Sequence, residues 1–198
     1  RDAQGLRELI AAPGQIRLEP RPVPGFTLVI KHNATFTALL PELATRLRTL
    51  AIVRHPLSVL ASWHSVNLPV RDGRIPAGER LDPDLAASLD AQSDRLSRQL
   101  LVLDWFFSRF ERLLPAPDVL RYEDVLSSQG DVLRERAGLR GEPTTGLAER
   151  NANALYSPEQ IPVLAEALAR NSGSWQRWYP LDSIAPLAER MLAAHEGR

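Results

Sequence analysis

The sequence contains no cysteine and only one lysine, Lys31, among its 24 Lys and Arg residues. The lack of cysteine removes disulfides, zinc–thiolate sites and thiol nucleophiles together. There is no charge of one sign in excess either, with 24 Lys plus Arg against 24 Asp plus Glu. A neutral chain has no general basic field for nonspecific nucleic-acid binding, so a polyanionic ligand must be held by a few placed cations. Apolar runs stay well short of the ~20 residues that a membrane-spanning helix requires. No signal-peptide pattern opens the chain, and the expected location is cytoplasmic. The chain also starts at Arg1 without an initiator Met, so a truncated amino terminus is expected.

What is present suits a single domain over residues 1–198, with 44% hydrophobic and 24% charged residues. Phe26 to Ile30 (FTLVI) is a continuous apolar run that predicts a strand buried on both faces. Phe36, Leu39, Leu40, Leu43 and Leu47 follow at helical spacing. Leu50 to Val53 predicts a second buried strand, and Pro56 opens a helix to about Val66. Strand, helix, strand, helix in this order implies a parallel α/β sheet. Residues 67–82, rich in Pro, Gly, Arg and Asp, read as an exposed loop able to gate a substrate. A long helix is expected over 84–113, striped by Leu96, Leu100, Leu103 and Phe107, then a short strand from Val119 to Tyr122. The remainder reads as mostly helical. Residues 3–11 suggest a helix end, and Ile16 with Leu18 a short strand.

Candidate functional residues gather where predicted strands end, the edge at which open α/β sheets bind ligands. Arg54 ends one strand, and a helix starting at Pro56 aims free backbone N–H groups at an anion. Ser62 lies roughly 9 Å further along that helix, so it can join Arg54 only on a ligand lying along the helix flank. A phosphate held by guanidinium and hydroxyl fits this spacing. A salt-bridged Arg54 and a small Ser62 at a helix contact fit it as well. Lys31 ends the FTLVI run, with His32 beside it. Against the arginine background the lone lysine marks either a required compact charge or a chance survivor on the surface. Tyr122, Glu123 and Asp124 follow a further strand, and the two acids suit a helix N-terminus.

The Arg54-His55-Pro56 segment, with Ser62 eight positions after the Arg, resembles the 3′-phosphate-binding segment of the sulfotransferase family. Leu120-Arg121-Tyr122-Glu123-Asp124 resembles that family's Tyr-Glu-Asp segment, and Arg170-Asn171-Ser172-Gly173-Ser174-Trp175 its late Arg, Gly and Gly-x-Trp segment. The resemblance covers about residues 26–182. It implies a P-loop-like parallel sheet flanked by helices and transfer of a sulfuryl group from 3′-phosphoadenylyl sulfate (PAPS) to a hydroxyl or amine, without a metal. The acceptor would be a small molecule or glycan, with no nucleic acid and no membrane span. It also implies that Arg54, Ser62 and Arg170, with Gly173, bind the 3′-phosphate, that Tyr122 helps build the cofactor pocket, and that Lys31 and His32 are catalytic. Lys31 would stabilise the departing phosphosulfate, and His32 would take the acceptor proton. In the familiar cytosolic enzymes one residue separates that Lys from the His. Here the two are adjacent, so they share a site only if the strand ends or bends at Lys31. The family's first strand and Gly- or Ser-rich phosphosulfate loop have no counterpart in this sequence. A nucleotide kinase-like P-loop phosphotransferase would need a Gly-Lys-Ser/Thr loop and a magnesium-binding acid, neither visible here. A non-catalytic nucleotide-binding module is the remaining alternative.

Overall fold

The computed structural model describes residues 14, 15, 17, 19, 24–139, 146–153 and 155–196. The expectations for residues 3–11, Ile16 and Leu18 lie outside the described residues. Within them the protein is a mixed α/β structure, mostly helical, whose sheet consists of two parallel strands, β1 (Ala51–Val53) and β2 (Val119–Arg121). Ala51 stands opposite Val119, Ile52 opposite Leu120 and Val53 opposite Arg121. One step beyond this register, Arg54 and Tyr122 leave the same sheet edge side by side.

Before the sheet come α1 (Ala34–Ala38) and α2 (Leu40–Arg46), and after β1 comes α3 (Pro56–His64), with Pro56 at its first position. The expected long helix over 84–113 is two helices, α5 (Pro83–Asp90) and α6 (Arg95–Leu113). Asp94 caps α6 by accepting the Ser97 N–H at 2.9 Å, a feature that starts a helix rather than continuing one. The stripe reading holds on α6: Leu103 and Phe107 are buried, and Leu96 and Leu100 pack against them. After β2 come α7 (Tyr122–Ser127), α8 (Asp131–Ala137), α9 (Gln160–Arg170) and α10 (Ile184–Glu196). The main core joins Leu57 and Leu60 of α3, Leu103 and Phe107 of α6, Ile161, Leu164 and Leu168 of α9, and Leu187 and Met191 of α10. Among the described residues no helix is long and apolar enough to cross a membrane.

Two further expectations are corrected. The FTLVI segment is not a buried strand: Phe26, Leu28, Val29 and Ile30 are 54%, 65%, 68% and 64% exposed, and β1 pairs with β2 instead. An apolar run of this length prefers extended backbone, but a strand exists only once a neighbour takes its N–H and C=O groups. The 67–82 segment is not an open loop. It forms a 3-10 turn over Pro69–Asp72 and α4 (Pro76–Glu79), and it is tied to α6. Arg98 Nε donates to the Asp72 carbonyl at 3.0 Å, and the buried Gln99 amide donates to the Arg71 carbonyl at 2.7 Å. Gly73, at φ 71°, turns the chain so closely over α6 that an added Cβ would meet the Arg98 side chain and lie 2.8 Å from the Gln99 nitrogen. Asp82 then caps α5 through the Leu85 N–H and accepts from Trp105 Nε1 and Arg109 Nη1 at 2.9 and 3.0 Å. Arg74, Glu79 and Asp82 thus use their side chains internally, and Arg71 and Asp72 their carbonyls.

Candidate functional site

Side chains leaving the carboxyl ends of β1 and β2 build a polar cluster. The Arg54 guanidinium stacks over the Tyr122 ring, with Cζ 5.0 Å from its centroid. Its Nε donates to Asn151 Oδ1 at 2.7 Å, and its Nη2 donates to the Arg150 carbonyl and, at 3.1 Å, to the Tyr156 hydroxyl. Nη1 makes no hydrogen bond among the described residues. Asn151 is 2% exposed and closes the cluster on its other side, donating from Nδ2 to Glu123 Oε1 at 2.6 Å. The Tyr179 hydroxyl donates to Glu123 Oε2 at 2.6 Å and lies 3.1 Å from the Val53 carbonyl. Burial, reinforced by the Glu123 carboxylate, pushes the Tyr179 phenol far above its ordinary range, so it stays a donor. Glu123 thus has both oxygens engaged, with Arg121 Nε at 3.9 Å beyond. One buried amide connects an arginine to a carboxylate across two strands and the 149–156 segment.

His55, also buried, caps α3: its Nδ1 accepts the Leu57 N–H at 3.2 Å. A neutral imidazole with Nδ1 accepting carries its proton on Nε2, which lies 3.1 Å from Ser183 Oγ. Ser183 Oγ in turn donates to the Pro180 carbonyl. The Ser–His contact is therefore a structural tie and not a nucleophile–base pair, because the nitrogen facing Ser183 holds the proton. Burial pushes the His55 pKa down to about 4, against the opposing pull of Glu123. His64 is a second tie; its Nε2 lies 3.1 Å from Gln99 Oε1, and burial lowers its pKa.

The remaining candidates are scattered. Ser62 is half-buried on α3, and its carbonyl accepts the Ser65 N–H at 3.1 Å; no contact joins it to Arg54. Lys31 and His32 are exposed. His32 Nδ1 accepts the Thr35 N–H at 3.3 Å and its ring leans on Phe36, so the side chain caps the start of α1. In that arrangement the proton sits on Nε2, and the acceptor nitrogen that a base needs is occupied. Arg170 is exposed at the end of α9 and pairs with Glu166 one turn back. Gly173 lies where the chain passes tightly over α6; an added Cβ would lie 2.7 Å from Trp175 Nε1 and 2.9 Å from Asp104 Oδ1. The hollow beside it, about 420 Å³, is lined by Asp104, Glu111 and Arg177, and Arg177 is already paired with Glu111 at 3.0 Å. Among the described residues no hydrogen bond or ion pair joins Arg170 or Gly173 to Arg54. Among the described residues there is also no group of three or more His, Asp and Glu placed to hold a metal ion.

Asn151, Tyr156, Tyr179 and His55 were not among the sequence-derived candidates. A signal existed for one of them: a His directly before a Pro at a helix start is positioned to cap that helix. Taken together, the fold and cluster define a mixed α/β protein with an arginine-centred polar site at the carboxyl edge of a parallel strand pair. Comparisons with protein-family models, curated proteins and solved structures find no match to the chain.

Proposed function

We propose that the protein is a PAPS-dependent sulfotransferase in which Arg54 binds the 3′-phosphate of the donor. The observation carrying this reading is the state of Arg54. Its guanidinium leaves the carboxyl end of a parallel strand, is oriented by Asn151, the Arg150 carbonyl, Tyr156 and Tyr122, and keeps Nη1 without a partner among the described residues. Orientation of this kind lowers the entropy lost when an anion binds. Ser62 on the adjacent helix is the second expected phosphate contact, reached by a ligand lying along α3. Tyr122 acts through Arg54, as the surface on which the guanidinium rests.

In this reading the sulfuryl group passes directly from PAPS to a hydroxyl or amine acceptor, leaving adenosine 3′,5′-bisphosphate. Lys31 stabilises charge on the departing phosphosulfate. His32 serves as base only if its Nδ1 releases the Thr35 N–H. The test is calorimetric titration with adenosine 3′,5′-bisphosphate and with adenosine 5′-phosphate. The expected result is at least about tenfold tighter binding of the bisphosphate, the effect of one charge-assisted contact. Equal affinities would reject the assignment of Arg54.

A further inference from the structure

A hollow of about 290 Å³ opens at the same sheet edge, lined by Asn151 but not by Arg54. Its polar wall holds Arg121, Glu123 and His55, and Arg190 approaches from α10. Arg121 stacks on the Tyr179 ring, with Cζ 5.0 Å from the centroid, and this fixes the plane of its guanidinium. Its Nε is buried without a hydrogen bond, and the nearest acid, Glu123 Oε2 at 3.9 Å, is too far to accept one. The Arg121 side chain as a whole is 43% exposed, yet this one donor is shut off from water and lacks an acceptor, which costs free energy. Arg190 is exposed and has no hydrogen bond or ion pair among the described residues. Glu123 lies at ion-pair distance from Arg121 but accepts no hydrogen bond from it, its oxygens accepting instead from Asn151 and Tyr179.

The facing charges are two guanidiniums against one carboxylate, with His55 neutral, so the hollow carries one uncompensated positive charge. Pro180, Pro186 and Leu187 supply the apolar part of its lining. We propose that this hollow binds a small organic monoanion, a carboxylate on a compact apolar body, held between Arg121 and Arg190. A doubly charged phosphate would meet Glu123 with charge in excess. The volume lies at the small end of ligand pockets, which suits a single-ring compound. The position, at the carboxyl ends of parallel strands, is where open α/β sheets bind ligands. None of Arg54, Ser62 or Lys31 lines the hollow, so this site stands whether or not the protein transfers sulfuryl groups.

The test is titration of the protein with sodium benzoate, with benzamide as the uncharged isostere and inorganic sulfate as a competitor. Benzoate is expected to bind saturably, at least about tenfold tighter than benzamide, and to shift the NMR signals of His55 and Tyr179. Arg190→Glu, at an exposed position, should weaken benzoate by about tenfold or more, with Arg121→Gln as the second variant. Unchanged benzoate affinity in both variants overturns the proposal, as does no saturable binding. Equal affinity for benzamide shows an apolar hollow only, and sulfate binding tighter than benzoate shows an inorganic-anion site. Either result overturns the proposed ligand class.

Discussion

Asn151→Ala is the substitution that the structure makes most consequential for its size. The side chain is 2% exposed, accepts from Arg54 Nε at 2.7 Å and donates to Glu123 Oε1 at 2.6 Å. Both bonds involve a charged partner, and each such bond contributes about 1.5–3 kcal/mol. Arg54 and Glu123 are partly exposed, so water recovers some of the loss and the low end applies to each. The expected destabilisation is about 3 kcal/mol, or about 6–12 °C in Tm for a domain of this size. Urea unfolding followed by far-UV circular dichroism and tryptophan fluorescence measures it, provided the two transitions coincide. A loss below about 0.5 kcal/mol would put Asn151 in the range of ordinary surface substitutions and refute its role as the link.

Two further outcomes follow from the same geometry. Because the His55 pKa is pushed down to about 4 from 6.5, the unfolded chain binds more protons between those values, and stability falls as pH drops through that window. The loss amounts to about 3 kcal/mol at most, and His55→Gln should flatten that component of a pH series of denaturation midpoints; an unchanged slope would show that His55 is not buried neutral. Gly73→Ala forces a side chain into a left-handed φ of 71° against the α6 backbone. It should cost at least about 2 kcal/mol in urea unfolding, and a neutral result would show that the 67–82 segment does not seat on α6 as described.

The legible parts of the fold were those written in local chemistry. Val53 and Val119 lie in short apolar runs that became strands, Pro56 opened its helix, and Leu103 and Phe107 fell on the buried face of α6. The FTLVI run failed because a strand needs a partner, and five apolar residues carry no information about which one. The 67–82 segment failed for a different reason. Proline there suggests a loop, yet Pro69 and Pro76, like Pro83 just beyond, each start a helical turn, where the missing N–H costs nothing. In the site, Arg54 and Tyr122 were legible because parallel strands bring their successors together. Asn151 was not, since it sits in an irregular segment, and neither its burial nor its bond to Glu123 leaves a periodic trace. Glu123 reads as a helix-terminus acid, which it is, being in the first turn of α7, but its hydrogen-bond partners Asn151 and Tyr179 lie 28 and 56 positions away.

The most direct measurement for the functional claim is the ratio of affinities for adenosine 5′-phosphate and adenosine 3′,5′-bisphosphate, taken in the native protein and in Arg54→Ala. If Arg54 holds the 3′-phosphate, its loss removes about 1.5–3 kcal/mol of bisphosphate binding and leaves the monophosphate nearly untouched. The ratio should then collapse from about tenfold or more towards one. A ratio that survives the substitution would contradict the account, because the 3′-phosphate would then be read by some other group.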